Sequence, residues 1–309
     1  MQFSIDQPTA TDRALQRLTK FSLWCLSDAG VPPRTIEIHL DGRPAYALRR
    51  CFRGDLALQL SEAPLAGESG FFGEVLIPPE IANGRELGVA VTANFEDGGS
   101  ALLESRSFVV EGDAPLAATR SRSYRLDEFL TAGDEFRPRQ DILGVPHFHP
   151  RGEFPILQLL DANATHPYSD NARRVIDSVP AGGVFMDLGC GVKAPDAVRD
   201  NAVLLDATHF PRVDVVNSCT LLPFRSAVFD AIVSQAVFEH LPYPHQTAAE
   251  CLRVLKPGGV LLIDTAFMQP LHADPSHYFN MTWRRFASCW TASRLSTRVR
   301  GLTNTRLVP

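Results

Sequence analysis

From residue 184 onward the chain is written as short, nearly continuous apolar runs with helix-like stretches between them: VFMDL, AVLLD, VDVV, FDAIVS and GGVLLIDT. That pattern admits few folds. A strand with one wet face alternates polar and apolar residues, whereas a strand apolar throughout is buried on both faces, as in a parallel sheet covered by helices. Ahead of the first run, Ser169-Asp170 can cap a helix whose Val175, Ile176 and Val179 share a face, and Pro180 with Gly182-Gly183 stops it. Another helix runs through Glu250 to Leu255, and Lys256-Pro-Gly-Gly259 breaks it with no chemistry of its own. The expectation is an α/β domain with a mostly parallel sheet and helices on both faces.

The first third has a different period. FSLWCL, TIEIHL, PAYAL, DLALQL, FFGEVLI, ELGVAV and SRSFVV are short β-rich runs separated by turn residues, the spacing of a β-sandwich. Asp41-Gly42 and Asp97-Gly98 mark tight hairpins, because glycine accepts the positive φ that primed turns demand. The division expected is a smaller all-β sandwich over 1–112, a linker over 113–150 with one short helix near Leu126 to Ala132, and the α/β domain over 151–309. His147-Phe-His149 falls in the linker. No Cys or acidic partner stands at ligand spacing, so the segment reads as a Pro-flanked loop and no metal site is expected.

Thirty Lys and Arg stand against 35 Asp and Glu, and no stretch concentrates enough positive charge to follow a phosphate backbone, so nucleic acid is not expected as a partner. Cys25, Cys51, Cys190, Cys219, Cys251 and Cys289 form no C-x-x-C pair and sit mostly in apolar runs, which fits a reducing, cytoplasmic setting. The opening residues lack a secretory pattern, and no apolar run is long enough for a transmembrane segment. A soluble protein is expected.

Val184-Phe-Met-Asp187-Leu-Gly189-Cys190-Gly191 is a strand running into a two-glycine loop, which lets the chain turn sharply and a ligand approach the backbone. Ala194 stands where a third glycine would complete the hydride-cofactor fingerprint, so a ligand without a pyrophosphate is favoured. Asp206 ends the next strand. An acid about 20 residues beyond the glycine-loop strand can accept hydrogen bonds from ribose hydroxyls.

DLGCG, the Asp206 strand end, LPF at Leu222 to Phe224, FDAIVSQAVFEHL and E-x-x-RVLKPGG together resemble the class I S-adenosylmethionine-dependent methyltransferases, over roughly Ser169 to Thr282. The resemblance implies a Rossmann-like sheet with S-adenosyl-L-methionine as cofactor. It implies that Asp187, Gly189, Cys190 and Gly191 hold the methionine part, Asp206 the ribose, and Ser218 and Cys219 flank the adenine, with Gln235 lining the cavity where sulfonium meets substrate. Ser218 departs from the family, which usually has an Asp there. A hydroxyl accepts the adenine amino group more weakly than a carboxylate.

Methyl transfer from a sulfonium is an in-line displacement, and a hydroxyl nucleophile must also lose its proton. His240, His272 and His277 are the candidate bases, since neutral imidazole accepts a proton near pH 7 and these residues follow strand ends. HADPSHYF resembles a stretch of methyltransferases in polysaccharide and glycolipid gene sets. IEIHLDGRPAYAL, FRGDLALQL and SGFFGEVLIP resemble the immunoglobulin-like accessory domains that accompany such enzymes. The acceptor implied is a small molecule or glycan, a sugar hydroxyl in particular. After the helix TWRRFASCW little chain is left for the family's last hairpin, and the Arg- and Thr-rich end is expected to be a flexible tail, a truncated end or a segment that orders on a partner. An exposed sheet edge there would invite a homo-oligomer or a partner enzyme. The competing expectation is a non-catalytic scaffold that binds glycan or a partner and carries a degenerate cofactor domain; a dehydrogenase is a third.

Overall fold

The computed structural model describes residues 1–113, 121–131, 136, 139–150, 154–157, 159, 167–193, 198–265, 269–270 and 277–282. The expected TWRRFASCW helix and the tail beyond it lie almost entirely outside these residues. The described chain divides into two compact units. One holds 1–113 with 154–157 and 159; the other holds the remainder.

Among its described residues the first unit is all-β apart from one short α-helix and one 3-10 turn, Ala66–Glu68. Its strands are β1 (Gln2–Gln7), β2 (Ala14–Gln16), β3 (Leu18–Leu26), β4 (Thr35–Leu40), β5 (Arg43–Cys51), β6 (Gly70–Leu76), β7 (Glu86–Asn94) and β8 (Ser100–Glu111). They are hydrogen-bonded in the order β1-β3-β6-β5-β4-β7-β8-β2. The expectation was seven strands in two sheets; the structure has eight in one continuous ladder. β5 makes the join, pairing Tyr46 to Leu48 with β4 and Arg49 to Cys51 with β6. A strand long enough to serve two neighbours carries the sheet round without a break. Asp41 and Gly42 both have positive φ, at 48° and 74°, as the tight β4–β5 turn requires.

DLALQL is helical rather than extended. Helix α1 (Gly54–Gln59) buries Leu56 and leaves Leu58 84% exposed. Alternating leucines satisfied a period of two, but Leu56 is buried, Leu60 packs partly buried against the same cluster, and Leu58 faces out. Residues 154–159 return to this unit: the Ala47 amide donates to the Pro155 carbonyl, and the Leu159 amide donates to the buried Glu74 carboxylate. The expected boundary at 151 does not describe that excursion.

The second unit is α/β. Its strands are β9 (Gln140–Ile142), β10 (Val145–Phe148), β11 (Phe185–Leu188), β12 (Ala202–Asp206), β13 (Val215–Asn217), β14 (Phe229–Gln235) and β15 (Leu255–Asp264), in the order β15-β14-β11-β12-β13-β10-β9. All pair in parallel except β9 with β10. Two helices are described here, α2 (Asp170–Asp177) and α3 (Pro244–Val254), fewer than strict strand–helix alternation implies. The Ser169 hydroxyl caps α2 by accepting from the Ala172 amide.

Alternate strand residues divide between two cores. Phe185, Ala202, Leu204, Ala231, Val233 and Leu262 pack with Ala172 and Ile176 of α2. Met186, Leu188, Val203, Leu205, Ile232, Leu261 and Ile263 pack with Ala248, Cys251 and Val254 of α3. Period-two sorting of fully apolar strands is what covering on both faces produces.

The segment expected as a linker belongs to this unit. β9 and β10 extend the sheet beyond β13, and the expected helix near Leu126 is one 3-10 turn, Leu126–Glu128. Buried Asp214 ties the segment down, accepting from the Arg122 guanidinium, the Tyr124 hydroxyl and the Leu204 amide. Pro, Gly and Arg in 113–150 concealed a strand pair because β10 has only four residues, too few to show a period. Among the described residues no helix is long and apolar enough to cross a membrane.

Candidate functional site

β11 feeds β12 and β13 to one side, and the chain then crosses to β14 and β15 on the other. In open α/β sheets ligands bind at the carboxyl ends of strands where the order reverses, here between β11 and β14. The glycine loop leaves β11 at that point. Gly189 and Gly191 have φ of 70° and 57°, the left-handed region that glycine enters at little cost. A Cβ on Gly189 would lie 2.2 Å from Val237 Cγ2, so the residues after β14 close directly on the loop.

The loop is also tied to β12. The Gly189 and Cys190 amides donate to the Leu205 carbonyl at 2.8 and 3.0 Å. Asp206, half-buried at the end of β12, accepts from the Gly191 amide through Oδ2 at 2.8 Å and from the Thr208 amide through Oδ1 at 2.9 Å. A carboxylate oxygen can accept more than one hydrogen bond. Asp187, Gly189, Gly191 and Asp206 are therefore brought together at one place.

Asp187 is buried, and its Oδ2 accepts from the Tyr168 hydroxyl at 2.7 Å, with Lys193 Nζ at 3.3 Å. Burial pushes its carboxyl above the usual carboxylate range, while Lys193 and Tyr168 pull the other way. Lys193 is itself 4% exposed and lies 4.4 Å from the Tyr168 ring centre. Sequence reasoning missed both residues. Lys193, two places after the second loop glycine, was the signal available.

Across the sheet, Asn217 at the end of β13 spends its amide on structure: Oδ1 accepts from the Cys219 amide and Nδ2 donates to the Phe148 carbonyl. Ser218 Oγ is buried and has no hydrogen-bond partner among the described residues. Cys219 has φ of 68° with its side chain in the core on the α3 face, and the Cys190 side chain packs in the core on the α2 face. Burial raises the Cys190 thiol well above its ordinary range. Either cysteine reaches a ligand through its backbone only.

After β14, Gln235 Oε1 accepts from the Ser169 amide at 3.4 Å. Glu239 is fully buried; Oε2 accepts from the Thr265 hydroxyl at 2.7 Å and Oε1 has no hydrogen-bond partner among the described residues. Asp264, at the end of β15, is pushed upward by burial and by the negative charge of Glu239. The Glu239 carbonyl accepts from the Tyr278 and Phe279 amides, which brings His277 to His240 with ring centres 5.9 Å apart. His272 lies outside the described residues.

His147-Phe-His149 is not a loop. His147 lies on β10, and all three of His147, His149 and His209 are buried. Among the described residues no group of three or more His, Cys, Asp or Glu is arranged to hold a metal.

Residues 196–263 match a family described as a methyltransferase domain. A probable S-adenosylmethionine-dependent methyltransferase of Mycolicibacterium smegmatis is 44% identical over 58 residues, which are 18% of this chain and 23% of that protein. An uncharacterized methyltransferase of Mycobacterium tuberculosis is 33% identical over 125 residues, 37% of this chain and 49% of that protein. The chain spans about half the length of these relatives or less. No solved structure was found to match.

Proposed function

We propose that the chain is a class I methyltransferase that binds S-adenosylmethionine on a Rossmann-like sheet and methylates a hydroxyl of a small-molecule or glycan acceptor. The observation that carries this reading is the Asp206–Gly191 hydrogen bond. It joins a left-handed glycine loop to an acidic strand end beside the point where strand order reverses; Asp206 lies within the stretch that matches the methyltransferase domain, and the loop lies just ahead of it.

The residues present fit the cofactor. The loop from Gly189 to Gly191 offers backbone without side chains at both glycines for the methionine part, and the Asp206 carboxylate would accept from the ribose hydroxyls. The buried Ser218 Oγ, without a hydrogen-bond partner among the described residues, stands ready for a polar group of the adenine. When bound, S-adenosylmethionine supplies an electrophilic methyl group on a sulfonium. Asp187 supports the loop from beneath, fixing Lys193 and Tyr168, while Gln235 and the turn at Glu239 and His240 border the acceptor's side. His240 and His277 are the groups to take the acceptor's proton on an imidazole nitrogen.

In this reading the N-terminal unit is an immunoglobulin-like accessory domain that holds glycan or a partner enzyme near the site, in surface polysaccharide synthesis in the cytoplasm. Its contribution is local concentration rather than chemistry. Titration calorimetry with S-adenosylmethionine, followed by transfer of labelled methyl from it to lipid and polysaccharide extracts, tests the proposal. Binding with a labelled product is expected. Absence of binding at millimolar cofactor would overturn it in favour of a scaffold.

A further inference from the structure

Three histidines that no step above uses are joined in a chain. His147 Nδ1 lies 3.2 Å from His149 Nε2, and His147 Nε2 lies 3.0 Å from His209 Nδ1. The rings are 1%, 5% and 3% exposed. Three imidazoles removed from water cost more than apolar side chains of similar volume, so packing alone does not account for them. Burial holds His147 and His209 below the ordinary histidine range, which keeps them neutral.

A neutral imidazole has one N–H and one bare nitrogen. His147 uses both nitrogens, so it donates through one and accepts through the other, and the chain has a direction. If His149 donates to His147, then His147 donates to His209, whose proton must sit on Nε2. Reversing the direction places the protons of His209 and His149 on Nδ1. The tautomers of all three rings change together.

The register shows where the chain runs. Asp206, Val216 and His147 form one row across β12, β13 and β10. Phe148 and Asn217 are the last pair of β10 and β13, and His149 and Ser218 are the residues that follow them. His209 lies three residues after Asp206, in the turn whose Thr208 amide bonds that carboxylate. One end of the chain thus neighbours the residue assigned to adenine, and the other the turn assigned to ribose.

We infer that His149, His147 and His209 form a positioning chain for the adenosyl moiety, linking the ribose and adenine ends of the pocket, with a direction set by the bound nucleoside. This rests on the cofactor reading above. The chain holds the Asp206 turn against the β10 edge, and adenosine, rather than the methionine part of the cofactor, selects its tautomers.

The test uses the full chain labelled with 15N-histidine, because Nδ1 and Nε2 shifts report each tautomer directly. S-adenosylhomocysteine and adenosine should each move His149 and His209 in concert, and methionine should leave both unmoved. His147→Phe, which keeps the ring and removes both hydrogen bonds, should weaken S-adenosylhomocysteine about tenfold, the loss expected for roughly 1.4 kcal/mol of hydrogen bonding. Calorimetric binding of S-adenosylhomocysteine with unmoved histidine signals would overturn the inference and leave the cofactor reading intact. So would shifts produced by methionine and not by adenosine. Absence of binding by both S-adenosylhomocysteine and adenosine would overturn the two together.

Discussion

Acidification should destabilise this protein well before its ordinary carboxylates protonate, and the histidine chain is the reason. His209 is depressed from 6.5 to about 4, and His147 lies well below 6.5, burial being the leading cause in both. In the unfolded chain both take up protons as pH falls through about 6.5, while the native state does not. Between those values the unfolded state binds more protons, so stability rises with pH and is lost as pH falls. His209 alone, lowered from 6.5 to about 4 at about 1.36 kcal/mol for each step of one in pH, contributes roughly 3 kcal/mol that is present above pH 7 and gone near pH 4. His147 adds in the same direction. Asp187 and Asp264, both raised, act in the opposite sense at the acid end and partly offset the loss. Against a typical total of about 5–15 kcal/mol this is a large fraction. Urea unfolding followed by circular dichroism at pH 7.5, 6.5, 5.5 and 4.5 should show the fall. The double variant His147→Phe/His209→Phe should flatten it, whatever its stability at pH 7.5. A variant slope equal to that of the natural sequence, or stability that rises on acidification, would refute the reasoning.

Three substitutions probe the loop. Gly189→Val forces a branched residue to φ of 70° and sets its Cβ 2.2 Å from Val237 Cγ2, so a loss of about 2–4 kcal/mol and of cofactor binding is expected; normal melting and calorimetry would contradict the loop geometry. Lys193→Met removes the cation beside the buried Asp187, leaving it the Tyr168 hydroxyl, and should cost about 3–5 kcal/mol, most of it recovered in Lys193→Met/Asp187→Asn. If the double variant is no better than the single by urea unfolding, the pair is not coupled. Asp206→Ala removes the acceptor of the Gly191 and Thr208 amides, and S-adenosylhomocysteine affinity should drop about tenfold to a hundredfold for a charge-assisted contact. Unchanged affinity by titration would remove Asp206 from the site.

The sequence by itself determined what depends on local order. Runs apolar at nearly every position read as strands covered on both faces, so β11, β12 and β14 are legible, as is the cap at Ser169. The glycine loop after β11 and the acid ending β12 are likewise a matter of chain position, and so are their places at the sheet's carboxyl edge. What the tertiary structure decided depends on partners far away in sequence. Nothing local in DLALQL distinguishes a strand from a helix with one buried leucine; the core available to Leu56 made the choice. β10 is too short to carry a period, and it became a strand because β13 left an edge to pair with. Lys193 and Tyr168 acquire meaning only once folding buries Asp187 between them. The same holds for His147 and His149, polar residues in a Pro-rich stretch until the turn after Asp206 brings His209 to them. A hydrogen bond between side chains requires two groups within about 3 Å, and sequence spacing does not encode that distance when the groups come from different strands.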